Sequence, residues 1–550
     1  MSLAAGIDVR RFSWIRPLVA DYATNFSSVA ELYAGDPSRP DAWRQAIAQT
    51  QQHRLVRRRA GPAGERTDVA LLIRSQQEKR SAPPEARASA ATLIDPETVA
   101  VVTGQQAGAF GGPLYTLLKA ITAIQLARRV STAHQVSAVP VFWVEAEDHD
   151  WDEVQGVTLL DADYRPTTLV LDPPDGAGKR PVAELTLDDR VNRSIEAVEA
   201  TLSRSDFTSW VVAQLREAWR PGERAGTAFA RWLEQLLGPY GLVVFEGADA
   251  AAKPLVADLF ARELQTPGQS SSFAAAAGKL MTERGHQPQV NPPPDGVSLF
   301  LLDGARRAIR RHDTALAIGD DVRDVRAMAA EAVDHPERFS PNVLLRPIVQ
   351  DTILPTVCYV AGPSELAYLG QLRQIYDHFG VPMPLMYPRA TATLVDSAAV
   401  RFLAKYDVPV ETLQAQDDAV LNRLLEAQLP KDVDEALADA RTAARRTMER
   451  VIEVMPAVDP TLAGAAKTTL GRMEHDLQSL HGKVIQAAKK RDETLRRQFV
   501  RTQAQIFPNG HPQERTLGVI FFLNKYGPGL IDRLLDELPL EMGKHWIITV

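Results

Sequence analysis

Residues 99–153 constrain the fold of this chain most, because two apolar runs there each open into a cluster of polar side chains. The first reads VAVVTGQQAGAFGGPLYTLLKAITAIQLARR: a short β-branched run at 99–102, a Gly-rich link over 104–112, and an amphipathic helix starting near Pro113. The second reads VSAVPVFWVEAEDHDWDE, an apolar strand ending in five acids and one histidine within seven positions. Parallel strands followed by helices bring their C-terminal ends to one crevice, where open α/β sheets bind ligands. The pattern therefore predicts an α/β fold with a parallel sheet, and both clusters at one cavity.

The rest of the chain bounds what that cavity serves. With 550 residues, 45% hydrophobic and 24% charged, there is material for more than one domain. A net charge of −7 argues against a nucleic-acid binder that works by neutralising phosphates. No run approaches the roughly 18 apolar residues of a membrane span, and the N-terminal residues lack a signal-peptide core, so a cytoplasmic protein is expected. The single cysteine, Cys358, rules out an intrachain disulfide and lies in the apolar run 353–360, where it reads as a core residue. The basic run at 54–59 reads as a solvated helix face. Gly178-Lys179 imitates a phosphate-binding loop, but Pro173 and Arg180 stand where that motif requires Gly and Ser or Thr.

Further segments read as insertions and an arm. A hairpin is expected around PPDGAGK, and a strand-rich insertion around a turn at Asp303-Gly304. PMPLMYPRATATL reads as one strand. From about 410 to 506 the chain becomes rich in Ala, Leu, Arg, Glu and Gln. Leu437, Ala440, Ala444, Met448, Val451 and Met455 recur at helical spacing, as do Met473, Leu477, Leu480, Val484, Ala487 and Leu495 beyond Pro456 and Pro460. That is the pattern of an antiparallel coiled-coil hairpin, whose exposed seam suggests a second copy of the chain as partner. The organisation expected is a core over 1–409 with insertions near 161–190 and 254–340, a coiled coil over 410–506, and a tail over 507–550 returning to the core.

At TGQQAGAFGGPLYTLLK, PVFWVEAEDHD and FSPNVLLRPIVQDTILPTVCYVAGPSELAY, together with the coiled coil and PNGHPQERTLG, the chain resembles the cysteine-adding enzymes of bacillithiol biosynthesis. The resemblance implies a Rossmann-like core with two connecting insertions, a coiled-coil dimerisation arm, and a nucleotide-linked ligase. The reaction it implies joins the carboxylate of cysteine to the amine of glucosaminyl-malate, with ATP as co-substrate.

Three motifs supply the candidate residues. In the first, Gly111 and Gly112 let backbone amides approach a ligand at a helix start, which suits a phosphate or carboxylate. Gln105 and Gln106 orient a polar substrate, and Tyr115 and Lys119, four apart on one helix face, reach toward the same anion. In the second, Glu147, Asp148, His149 and Asp150 are the catalytic candidates: the acids grip an ammonium group, hold magnesium with a nucleotide phosphate or supply a general base, or else Asp148 or Asp150 caps the next helix, while His149 is the candidate base that deprotonates the incoming amine. In the third, Asn342 and Arg346 interrupt an apolar run, and Arg346 needs an acidic partner or a ligand carboxylate. Ser364 and Glu365 contact ligand or cap a helix, and Arg389 is a further candidate. Class I synthetase-like ligases carry an HxGH-type helix start and a KMSKS-type loop; GGPLYT replaces the first and no lysine loop replaces the second. Activation by phosphoryl transfer, with ADP released, thus stays open beside adenylation. Two other functions fit the pattern: a nucleotidyl- or glycosyl-transferase with metal at the acidic cluster, and a nucleotide-sensing coiled-coil assembly protein.

Overall fold

The structure is a computed structural model describing residues 5–60, 69–427, 431–491 and 493–550. The chain divides into two compact units, Met1–Leu394 with Gln513–Val550, and Val395–Pro512. The first is built on a five-stranded, all-parallel sheet: β1 (Val99–Gln106), β2 (Ala138–Glu145), β3 (Val243–Glu246), β4 (Thr356–Ala361) and β5 (Leu385–Pro388). The spatial order is β5-β4-β1-β2-β3. Strands buried on both faces carry near-continuous apolar sequence, and residues 99–104 and 139–144 are buried throughout. The crossover between β1 and β2 is α1 (Leu114–His134), most of which is also buried. The chain runs outward from β1 through β2 to β3, then crosses back to β4 on the other side. The point where strand order reverses therefore lies between β1 and β4, at their C-terminal ends.

The two insertions leave from the carboxyl ends of β2 and β3, on one side of this point. Between β2 and β3 come the hairpin Gly156–Leu160/Pro166–Val170 and the helices Arg190–Thr201, Thr208–Ala218 and Ala225–Leu237. Between β3 and β4 comes an antiparallel five-stranded sheet, whose strands Gly296–Leu302 and Arg306–His312 turn at Gly304, with φ of +85°. PMPLMYPRATATL is two strands rather than one. Leu385–Pro388 joins the parallel sheet, whereas Thr391–Val395 joins a separate sheet with Ala5–Asp8 and Lys544–Thr549. The break falls at Arg389, which a buried carboxylate captures.

The basic run at 54–59 is not simply solvated. Arg54 donates to the carbonyls of Asp95 (2.6 Å) and Thr98 (3.0 Å), and Arg57 to that of Leu255 (3.0 Å). These guanidinium groups bond to carbonyls at helix ends and turns. The side chains of Arg58 and Arg59 lie outside the described residues. No helix among the described residues is long and apolar enough to cross a membrane.

Cys358 is fully buried in β4, and burial pushes its thiol pKa up, away from reactivity. Cys358→Ala should cost about 1–2 kcal/mol in chemical denaturation and leave activity intact. A folded but inactive variant would make the thiol a nucleophile.

The second unit contains a helical hairpin, Lys431–Val454 and Leu462–Arg491, held in part by Arg445 and Glu474 (2.6 Å). Leu437, Ala444, Met448, Val451, Leu477 and Val484 are half-buried along it, but Ala440, Met473, Leu480 and Ala487 face outward. Two helices in contact cover only one narrow stripe of each, so a wider apolar rhythm leaves residues uncovered.

Candidate functional site

The ends of four parallel strands open into one cavity of about 350 Å³ at the strand-order reversal. β1 contributes Gly104, Gln105 and Gln106, and β2 contributes Glu145. Gly362–Glu365 follow β4, and Arg389 follows β5. Tyr115 and Lys119 reach in from α1, Arg306, Asn342 and Arg346 from the second insertion and the helix after it, and Arg515 from the returning tail.

Gly104 is required by crowding: a Cβ there would stand 2.9 Å from the Trp143 carbonyl oxygen of β2. Its own carbonyl accepts from Lys119 Nζ at 2.6 Å. Lys119 is fully buried, and burial pulls its pKa down. It is paired with Glu365, so it does not stand free for an anion, contrary to the expectation from helix spacing. Glu365 in turn accepts from Tyr359 Oη (2.9 Å) and from the Gly362 amide (2.6 Å), closing the first turn of Pro363–Leu369. Burial raises its carboxyl, but the Lys119 ammonium outweighs burial and holds the pKa below its ordinary value. Glu365 is thus both cap and cavity wall. Gln105 Nε2 donates to Tyr115 Oη at 3.1 Å, and Gln106 Nε2 donates to Glu153 Oε2 at 2.7 Å.

The acidic cluster is sorted by backbone direction. Asp148 faces the cavity, where Arg306 Nη1 lies 3.2 Å from its Oδ1. Glu147 points the other way into a buried ion pair with Lys253 and accepts from Ser340 Oγ at 2.8 Å. Asp150 is the N-cap of the short helix Trp151–Val154, accepting from the Glu153 amide at 3.3 Å. His149 does not line the cavity; its Nδ1 sits 3.2 Å from Asp148 Oδ1. A strand that ends and turns at once cannot aim four successive side chains at one point. Only Asp148 of the four proposed catalytic residues faces the cavity.

Gly111 and Gly112 do not line it either. Their φ angles are +93° and +68°, and a Cβ on Gly111 would collide with the Trp232 ring. The helix start beyond them is closed by the returning tail, with the Leu114 amide donating to the Leu517 carbonyl at 2.8 Å and the Val519 amide to the Gly112 carbonyl at 3.0 Å. These glycines serve tight packing, not anion binding.

Three charged cavity residues went unread in sequence. Glu145, the last residue of β2, is paired with Arg346 (Nε to Oε2, 3.3 Å), and its Oε1 accepts from the Glu147 amide at 3.2 Å. Burial raises its carboxyl pKa, with Arg346 opposing. Arg346 Nη2 also donates to Tyr368 Oη at 2.7 Å. Its position at a strand's carboxyl end was the available signal for Glu145. Arg306 is stacked on Phe300 at 3.8 Å and donates to the Pro341 carbonyl at 3.0 Å; it follows a hairpin turn that carries no chemical signature. Arg515 stands in PNGHPQERTLG, beside Glu514, which holds Arg389 through two bonds of 2.9 and 2.7 Å. Asn342 turns its Oδ1 to the amides of Leu344 and Leu345, and Ser364 lies on the cavity wall. The described residues contain no group of three or more His, Cys, Asp and Glu side chains arranged to hold a metal ion.

A doubly wound parallel sheet with a charged cavity at its switch point, joined to a helical-hairpin unit, defines a Rossmann-like protein with a coiled-coil arm. Residues 6–390 match the N-terminal Rossmann-like domain of bacillithiol biosynthesis BshC, and residues 392–550 match its C-terminal coiled-coil domain. The chain belongs to this family. A relative from Salinibacter ruber, named putative cysteine ligase BshC, is 35% identical over 541 residues, covering 97% of this chain and 96% of the relative. Relatives of the same name from Koribacter versatilis and Symbiobacterium thermophilum are each 34% identical, over 88% and 96% of this chain and 90% and 96% of their own lengths.

Proposed function

We propose that the protein is an ATP-dependent ligase that joins the carboxylate of cysteine to the amine of glucosaminyl-malate, in the cavity at the β1/β4 reversal. The observation that carries this reading is a cavity where buried carboxylates and guanidinium groups are pre-paired, in a chain whose relatives bear the cysteine-ligase name. Amide formation needs an activated carboxyl, a positioned amine and a proton acceptor. ATP supplies the activation. Magnesium carried by its phosphates needs only one or two protein carboxylates; of the acidic cluster Asp148 and Glu153 line the cavity, and Asp148 is the one suited to it.

The proton acceptor in this reading is Glu145 rather than His149. It lines the cavity, and its raised pKa makes its carboxylate a stronger base than a solvated one. Arg346 holds Glu145 in place through its Nε, and Gln105 orients substrate beside Tyr115. The test is incubation of pure protein with cysteine, glucosaminyl-malate and ATP, followed by mass spectrometry of the thiol product and the released nucleotide. The amide of cysteine with ADP or AMP is expected; no amide under any nucleotide would remove the reading.

The helical hairpin is proposed as the homodimer contact. Met473 and Leu480 are 39% and 49% exposed and stand seven residues apart, on one face of Leu462–Arg491. Leu480→Lys should place a charge in that contact and convert a dimer to monomer in light scattering. A Leu480→Lys variant that stays dimeric would put the contact elsewhere.

A further inference from the structure

Most charged groups lining the cavity are already matched. Lys119 is paired with Glu365, Arg346 with Glu145, Arg306 with Asp148, and Arg389 with the buried Glu514 beneath it. A charged substrate gains little from such groups, because each would have to give up an existing partner. Two remain. The Arg515 side chain is exposed and has no hydrogen-bond or ion-pair partner among the described residues. Glu153 accepts a single amide hydrogen bond from Gln106 through Oε2, and its Oε1 has no partner among the described residues. The two are of opposite sign and line the cavity together with Tyr115; burial is the main cause of the raised pKa of Tyr115, with Arg515 and Arg389 opposing it and Glu365 and Glu153 adding to it. The Tyr115 hydroxyl accepts from Gln105, which leaves its own proton to donate.

Resting on the ligase reading, we infer that the Tyr115 corner of the cavity is the amino-acid subsite. Arg515 takes the α-carboxylate, Glu153 takes the α-ammonium, and the Tyr115 hydroxyl donates to the carboxylate between them. A free amino acid carries both charges two bonds apart, so one cation and one anion flanking a hydroxyl donor complement it, whereas a purely anionic ligand would be repelled by Glu153. The subsite draws on the helix after β1, the acidic segment after β2 and the tail at 513–516, which explains why PNGHPQERTLG returns to the sheet.

Calorimetry on the full-length protein with L-cysteine, cysteamine and 3-mercaptopropionate separates the two charges, since the latter two lack the carboxylate and the ammonium respectively. Arg515→Gln should weaken L-cysteine and 3-mercaptopropionate about tenfold and leave cysteamine bound at least as tightly. Glu153→Gln should weaken L-cysteine and cysteamine about tenfold and leave 3-mercaptopropionate bound at least as tightly. Arg515→Lys should restore part of the loss. Variants that bind all three compounds as the unsubstituted protein does, or that weaken all three alike, would overturn the subsite. If amide still forms from cysteine with an unchanged KM in both variants, the ligase reading survives and the subsite does not. If the same two-way pattern appears with L-serine while no amide forms from cysteine, the subsite survives and the ligase reading does not.

Discussion

Glu145→Gln should lower the rate of amide formation roughly 10²–10⁴-fold, the usual range for loss of a positioned base. Gln keeps the shape and a hydrogen bond to the Glu147 amide but cannot accept the proton of the attacking amine. The fold should survive, although Arg346 then keeps only Tyr368 as a side-chain partner. The pH profile carries the same signature. Because burial raises the Glu145 carboxyl, the acid limb of kcat/KM should lie at higher pH than that of a solvated glutamate, and it should vanish in the variant. His149→Ala should have the smaller effect, because its ring does not line the cavity. A collapse of turnover in His149→Ala with Glu145→Gln still active would restore the histidine as base.

Glu514→Gln should be the most damaging single change to stability at the site. Arg389 and Glu514 are 2% and 3% exposed, joined by two hydrogen bonds, and Glu514 also accepts from the Ala392 amide at 3.0 Å. Removing one charge leaves the other buried and uncompensated, at a cost of about 3–5 kcal/mol in urea denaturation. Replacing both partners with apolar residues should recover much of that loss. Burial raises the Glu514 carboxyl, but Arg389 outweighs it and holds the pKa below its ordinary value. Its contribution is therefore complete above the unfolded pKa of about 4.3 and is lost as pH falls through the lower folded value. Destabilisation by Glu514→Gln equal to that of an exposed glutamate would show that the pair is not closed.

The sequence carried the fold where pattern and burial coincide. Residues 99–102 and 139–144 are continuous apolar runs because both faces of the parallel sheet are covered, and the Asp303-Gly304 turn announced its hairpin. The two runs also predicted one shared cavity, and Gln105, Gln106, Tyr115, Lys119, Asp148, Asn342, Arg346, Ser364, Glu365 and Arg389 all line it. What stayed hidden depends on direction and long-range pairing. Nothing in EAEDHD tells which acid turns inward, because that is set by Lys253, about a hundred residues away, and by the cap at Asp150. Gly111 and Gly112 look like a phosphate loop until Trp232 and the tail at 517–519 occupy their surroundings. Arg389 reads as a candidate binding residue, and only the structure shows that Glu514 from the far end of the chain holds it.

L-cysteine labelled with ¹⁸O at both carboxylate oxygens gives the most direct measurement of the central claim, that this cavity activates the cysteine carboxyl with ATP and passes it to an amine. One labelled oxygen should leave with the nucleotide chemistry, in inorganic phosphate if ADP is released or in AMP if an adenylate forms, and one should remain in the amide carbonyl. The transfer should fall with turnover in Glu145→Gln. An amide product with no ¹⁸O in phosphate or AMP, or ATP consumption that leaves both labels on free cysteine, would contradict it.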